Sequence, residues 1–113
     1  MAGLIAIVIL FIPSESNAQI LPTKLTVTVI DGLGNVVEGA EVKLYKTEED
    51  YRGSSNPVFT GTSDGKGRVK FKEVESIAYF MEVTKGDMNN NGEGVMTSKL
   101  EAKKTNKVNV VIE

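Results

Sequence analysis

Val27-Thr28-Val29-Ile30-Asp31-Gly32-Leu33-Gly34-Asn35-Val36-Val37-Glu38-Gly39-Ala40-Glu41-Val42-Lys43-Leu44-Tyr45-Lys46 decides the fold. Val27 and Val29 alternate with Thr26 and Thr28. Ala40, Val42 and Leu44 alternate with Glu41, Lys43 and Tyr45. A period of two marks strands with one buried face. Between them lies a Gly-rich corner. Gly32 and Gly34 can adopt positive φ, and the Asp31 carboxylate can accept from the backbone beyond it. Glu38-Gly39 makes a second bend. No Lys-Ser/Thr pair and no helix follows the glycines, so the corner is not a phosphate cradle.

Working outward, the same period recurs. Residues 24–30 and 40–46 are the first two strands, with Leu25, Val27 and Val29 facing inward. Residues 47–57 break the pattern as a polar excursion, with one helical turn capped by Thr47. A short strand spans 58–62, and Asp64-Gly65 signals a hairpin. Val69 and Phe71 point inward from 68–72, while Arg68, Lys70 and Lys72 point outward. The most apolar strand, 77–84, is expected in the middle of a sheet or covered on both faces. Residues 85–94 form a Gly/Asn-rich loop, 95–100 a weaker strand, and 107–112 the closing strand. Seven short strands without a helical period predict an all-β, seven-stranded antiparallel Ig-like sandwich.

The chain has 113 residues, enough for one domain, with 13 basic against 15 acidic side chains. A nucleic-acid binder usually carries a basic excess, which disfavours that partner. The absence of His and Cys removes imidazole acid–base chemistry, thiol nucleophiles, N/S zinc sites and disulfides. A His-based hydrolytic triad is impossible, and the expected module is not an enzyme.

Residues 2–12 form an apolar run of eleven, shorter than the about 20 that cross a bilayer. Pro13 breaks it, and the small residues Ser16 and Ala18 precede a cut after Ala18. This is the pattern of a secretory signal peptide, although no Lys or Arg precedes the run. The alternative is a buried first strand or a short anchor. The division is therefore a removed signal peptide, 1–18, and a sandwich domain, 19–113. The mature chain is expected to be secreted or periplasmic, with no stable membrane span after signal removal.

Three stretches together resemble the carboxypeptidase regulatory-like domains. They are residues 29–44, the run Thr62-Ser63-Asp64-Gly65-Lys66-Gly67-Arg68-Val69-Lys70-Phe71, and Ile77-Ala78-Tyr79-Phe80-Met81-Glu82-Val83. These domains are transthyretin-like (prealbumin-like) seven-stranded sandwiches common in exported bacterial proteins. The resemblance covers most of the mature chain and implies a non-catalytic accessory or binding module. Tyr51-Arg52-Gly53-Ser54 also matches a signature of the related hydroxyisourate hydrolases. There it ends the chain and works with active-site His, so the match here is coincidence. Collagen-adhesin B-type domains often carry a Lys–Asn cross-link assisted by an acid. Glu82 resembles that acid, but Val29 stands where the Lys is expected, so no cross-link is expected.

Three groups could carry chemistry. Asp87-Met88-Asn89-Asn90-Asn91-Gly92 fits the opening of a calcium loop, with Asp87, Asn89 and Asn91 as side-chain ligands and the Glu93 carbonyl added. Ser98 stands where a bidentate Glu is normal, so calcium would bind weakly. Asn and Gly are also what any left-handed turn prefers. Arg68, Lys70 and Lys72 form a basic ridge for an anionic glycan, lipid head group or acidic protein, although alternation alone demands a polar outer face. Glu49, Tyr51 and Arg52 lie in the longest loop, where sandwiches often bind partners. No cofactor is expected apart from that calcium. The expected function is recognition of a protein or glycan partner in the cell envelope through the loops. The alternative is a structural surface or assembly protein that pairs through a sheet edge.

Overall fold

The computed structural model describes residues 21–92 and 94–113. The expected signal segment and Glu93 lie outside the described residues. In chain order the elements are β1 (Thr23–Asp31), β2 (Glu41–Tyr45), α1 (Glu48–Gly53), β3 (Phe59–Thr62), β4 (Arg68–Val74), β5 (Phe80–Lys85), β6 (Met88–Asn89) and β7 (Thr105–Ile112). The opening stretch seeds both layers: β1 is the central strand of a three-stranded sheet, β4-β1-β7, and β2 is internal to a four-stranded sheet, β3-β2-β5-β6.

Alternation places the core between the sheets. Leu25, Val27 and Val29 of β1, Val69 and Phe71 of β4, and Val110 and Ile112 of β7 are buried on one side. Val42 and Leu44 of β2 and Met81 and Val83 of β5 meet them from the other. Tyr79 and Leu100 close one end. Leu44, fully buried, contributes about 2 kcal/mol by leaving water.

Two corners carry the chain between layers. At the first, Asp31 Oδ1 accepts from Leu33 N and Asn35 N, each at 2.9 Å. These bonds hold the Asp31 carboxyl below its ordinary pKa, the Asn35 amide contributing most. Gly34, not Gly32, takes the left-handed conformation there, with φ of 89°. The buried Ser63 hydroxyl ties the two corners together, accepting from Ala40 N at 2.9 Å and donating to Val37 O at 2.7 Å.

The second corner corrects the hairpin expectation. Asp64 N donates to Arg68 O and Gly67 N to Asp64 O, but β3 pairs with β2 and β4 with β1. The turn joins strands of different sheets. Its left-handed residue is Gly67, with φ of 76°, rather than Gly65. Asp64 contributes its carboxylate instead, accepting from Lys66 N and Arg68 N at 2.9 and 3.0 Å.

Seven strands are present among the described residues, but the sandwich is not wholly antiparallel. β7 runs parallel to β1 over eight residue pairs, from Lys24↔Thr105 to Asp31↔Ile112. A parallel pair cannot be joined by a hairpin; the whole second sheet intervenes between β1 and β7, and residues 94–104 make the return, running beside β5 before crossing to the first sheet. Consequently the expected strand at 95–100 is absent, apart from an isolated bridge between Phe80 and Met96. β5 starts at Phe80, three residues after the expected Ile77. The two-residue β6 falls inside the expected 85–94 loop.

Candidate functional site

The three-stranded sheet turns its even-numbered β1 and β4 residues and its odd-numbered β7 residues outward. Register then assembles rows across three strands. Lys70, Thr26 and Lys107 form one row; Arg68, Thr28 and Asn109 form the next. Lys24 pairs with Thr105 at the end of the sheet, and Lys72 lies beside it on β4. Strands lie about 4.8 Å apart, so the Lys70 and Lys107 backbones stand roughly 10 Å apart across Thr26. Short threonines on the middle strand, three long cations along β4 and Lys107 on β7 make a trough, with Lys24 at its end. Its volume is about 430 Å³, and its lining contains five cations and no carboxylate. Lys24, Arg68, Lys70, Lys72 and Lys107 take part in no ion pair among the described residues.

The outer face of the other sheet differs. It mixes signs: Lys43 pairs with Glu41 at 3.9 Å and stands opposite Glu82 across β2 and β5. Its end is covered by α1. Thr47 caps that helix by accepting from Asp50 N at 3.1 Å, and Ser54 closes it in the left-handed conformation. The Tyr51 ring stacks on Phe80 at 5.9 Å and meets Tyr45 edge-on at 6.0 Å. Glu82 accepts from Tyr45 Oη at 2.7 Å and from Ser54 Oγ at 3.1 Å. The 47–57 excursion is thus fastened down. Of its three candidate residues, Tyr51 is half-buried in this aromatic cluster, Arg52 is paired with Glu48 at 2.6 Å, and Glu49 is exposed.

Burial, with the bond to Glu82 and its charge, pushes the Tyr45 phenol up to about 12. A raised folded pKa means the stability from the neutral phenol is complete below the unfolded value near 10. It is lost as pH rises through the folded value. Urea melts at about pH 9 and about pH 11 should therefore show a larger loss for the native chain than for Tyr45→Phe. Parallel losses in the two proteins would refute this coupling.

Asp87 lies exposed in the β5–β6 turn, whereas Asn89 and Asn91 line a shallow polar depression with Gly92, Val111 and Glu113. Asn89 Oδ1 accepts from Asn91 N at 2.9 Å, an intraloop turn contact. Glu93 lies outside the described residues. Among the described residues no group of three or more His, Cys, Asp or Glu side chains could hold a metal. The residue between the proposed ligands, Asn90, is the buried one.

Sequence reasoning found Arg68, Lys70 and Lys72 because they alternate along one strand. It missed Lys24, Lys107, Thr26, Thr28 and Asn109 as members of the same face. Alternation puts each of them outward, but only the parallel β1–β7 pairing sets them side by side.

No protein-family model and no curated protein sequence matches the chain. Among solved structures, the Bacillus anthracis TIE protein is similar over 81% of this chain, with a TM-score of 0.60 and 23% identity. The match spans 17% of that protein's length. Chlorocatechol 1,2-dioxygenase from Pseudomonas putida aligns over 82% of this chain and 60% of its own, with a TM-score of 0.49 and 17% identity. Likeness at the level of the TIE protein is likeness of fold, and fold alone does not assign chemistry.

Proposed function

We propose that this chain is a non-catalytic binding module of the cell envelope, of the carboxypeptidase regulatory-like type, and that it holds an anionic partner on the outer face of its three-stranded sheet. One observation carries the reading: two outer faces of one sandwich differ in charge pattern, one mixed in sign and one cationic throughout. Cations on the edge strands β4 and β7 also discourage edge-to-edge pairing. That purpose accounts for Arg68, Lys70, Lys72 and Lys107, but not for Lys24 on the central strand or for the missing carboxylates. The same edge cations leave assembly through a sheet edge with less support. The loop-borne site loses support as well, because Tyr51 and Arg52 are engaged within the domain. Export follows from the signal-like segment, and the lack of His and Cys favours binding over catalysis.

Retention on immobilised heparin tests this. The native domain should bind at low salt and elute as salt rises, since surface charge pairing is screened. Serine at positions 68, 70 and 72 together should weaken binding about tenfold, roughly 1.4 kcal/mol, without changing the melting temperature by more than a few degrees. Equal retention of the two proteins would overturn the proposal.

A further inference from the structure

Building on that reading, we infer that the trough holds a linear anionic polysaccharide, laid along β1, whose repeating carboxylate or sulfate groups pair with the flanking cations. The chemistry of the face separates this occupant from the others. A folded acidic protein needs an interface with an apolar or aromatic centre, and none of the exposed large hydrophobics, Leu21, Leu33, Val36, Val58 and Met96, lines the trough. A single nucleic-acid strand needs aromatic platforms for its bases, and the sole aromatic in the lining, Phe71, is buried in the core. A bilayer surface meets cations as a plane, which leaves recessed hydroxyls unused.

Hydroxyls are what the floor offers. Thr26 is half-buried between Lys70 and Lys107, Thr28 is half-buried between Arg68 and Asn109, and Thr105 extends the polar set. Each Thr hydroxyl both donates and accepts, which suits the hydroxyls of a sugar. Side chains two apart on a strand repeat every roughly 6.6 Å, so the three rows extend roughly 13 Å. Cations at every second residue along β4, joined by Lys24 and Lys107 across the face, suit an extended chain better than one compact anion.

The test uses calorimetric titration of the full domain with heparin oligosaccharides graded from disaccharide to octasaccharide. Inorganic sulfate, phosphatidylserine vesicles and a single-stranded oligonucleotide serve as comparison probes. Affinity should rise about tenfold or more with length until the oligomer spans the three rows, because each added charge releases further counterions. Thr26→Val with Thr28→Val keeps the charges and the β-branched shape. It should cut oligosaccharide affinity several-fold and leave vesicle binding unchanged. Length-independent binding, vesicles or the oligonucleotide bound as tightly as the octasaccharide, or an unaffected valine pair would each overturn the polysaccharide while leaving an anion-binding face. Failure to bind any of these probes would instead overturn the proposed function itself. Melting curves of the valine pair confirm that it is folded.

Discussion

Gly67→Ala is expected to lower folding stability by about 3 kcal/mol, moving a urea midpoint by roughly 1.5 M. Two costs add. Gly67 has φ of 76°, where a side chain costs about 1 kcal/mol. A Cβ there would lie 2.8 Å from Val29 O, 2.9 Å from Val36 Cβ and 3.3 Å from Val37 N. None of these atoms is the tip of a flexible side chain, so the backbone has to move. Overpacking of this kind costs about 1–3 kcal/mol. Val29 O already accepts from Val37 N at 2.9 Å, and Gly67 O accepts from Val29 N at 2.7 Å. The methyl therefore strikes the place where the two corners of the sandwich lock together. Gly65→Ala, two residues away, is the control. It has no atom within 4 Å of the added carbon and no positive φ, and should stay within about 0.5 kcal/mol of the native chain. Equal melting of the two variants would mean that the corners do not meet as described.

That contrast shows what the sequence holds and what it hides. Two neighbouring glycines in one turn motif look interchangeable in sequence, and Asp-Gly pointed to the wrong one. Which glycine is indispensable depends on Val29 and Val36, brought in from a distant corner. Strand faces were readable for a different reason. Leu25, Val27 and Val29, or Val69 and Phe71, are sorted by burial every second residue, and that sorting is local. The β1–β7 partnership is not local. Lys24 and Thr105 become neighbours only after the chain has crossed between sheets, and no turn residue announces a parallel pair. The basic trough inherits the same limit. One flank is legible along β4, while Lys107 and the threonine floor appear as a site only once three distant segments are aligned.

Asn90→Leu is expected to cost about 3 kcal/mol, although the replacement has the same branched outline and is more apolar. β5 turns the backbone groups of Met81 and Val83 away from β2, and the short β6 cannot reach them. The Asn90 amide takes the place of the missing strand. Its Oδ1 accepts from Val83 N at 3.0 Å, and its Nδ2 donates to Met81 O at 3.0 Å and to Gly94 O at 3.2 Å. Thr97 repeats the device one step along: its Oγ1 accepts from Tyr79 N at 2.9 Å, while its own N donates to Tyr79 O at 2.8 Å. Side-chain groups thus do ladder work, which is why residues 95–100 read as a weak strand and yet form none. Leucine leaves buried donors and acceptors unpaired, at about 1–3 kcal/mol each, and its added apolar burial offsets only part of that. Urea denaturation measures the total. Hydrogen exchange locates it: the Val83 amide should exchange far faster in the variant, while the Val27 amide in the opposite sheet follows only the global loss. If Val83 keeps its native protection, Asn90 is not the group that satisfies β5. The six-residue motif 87–92 then has a structural explanation without an ion: the position that a cation loop leaves unused is the one the fold cannot do without.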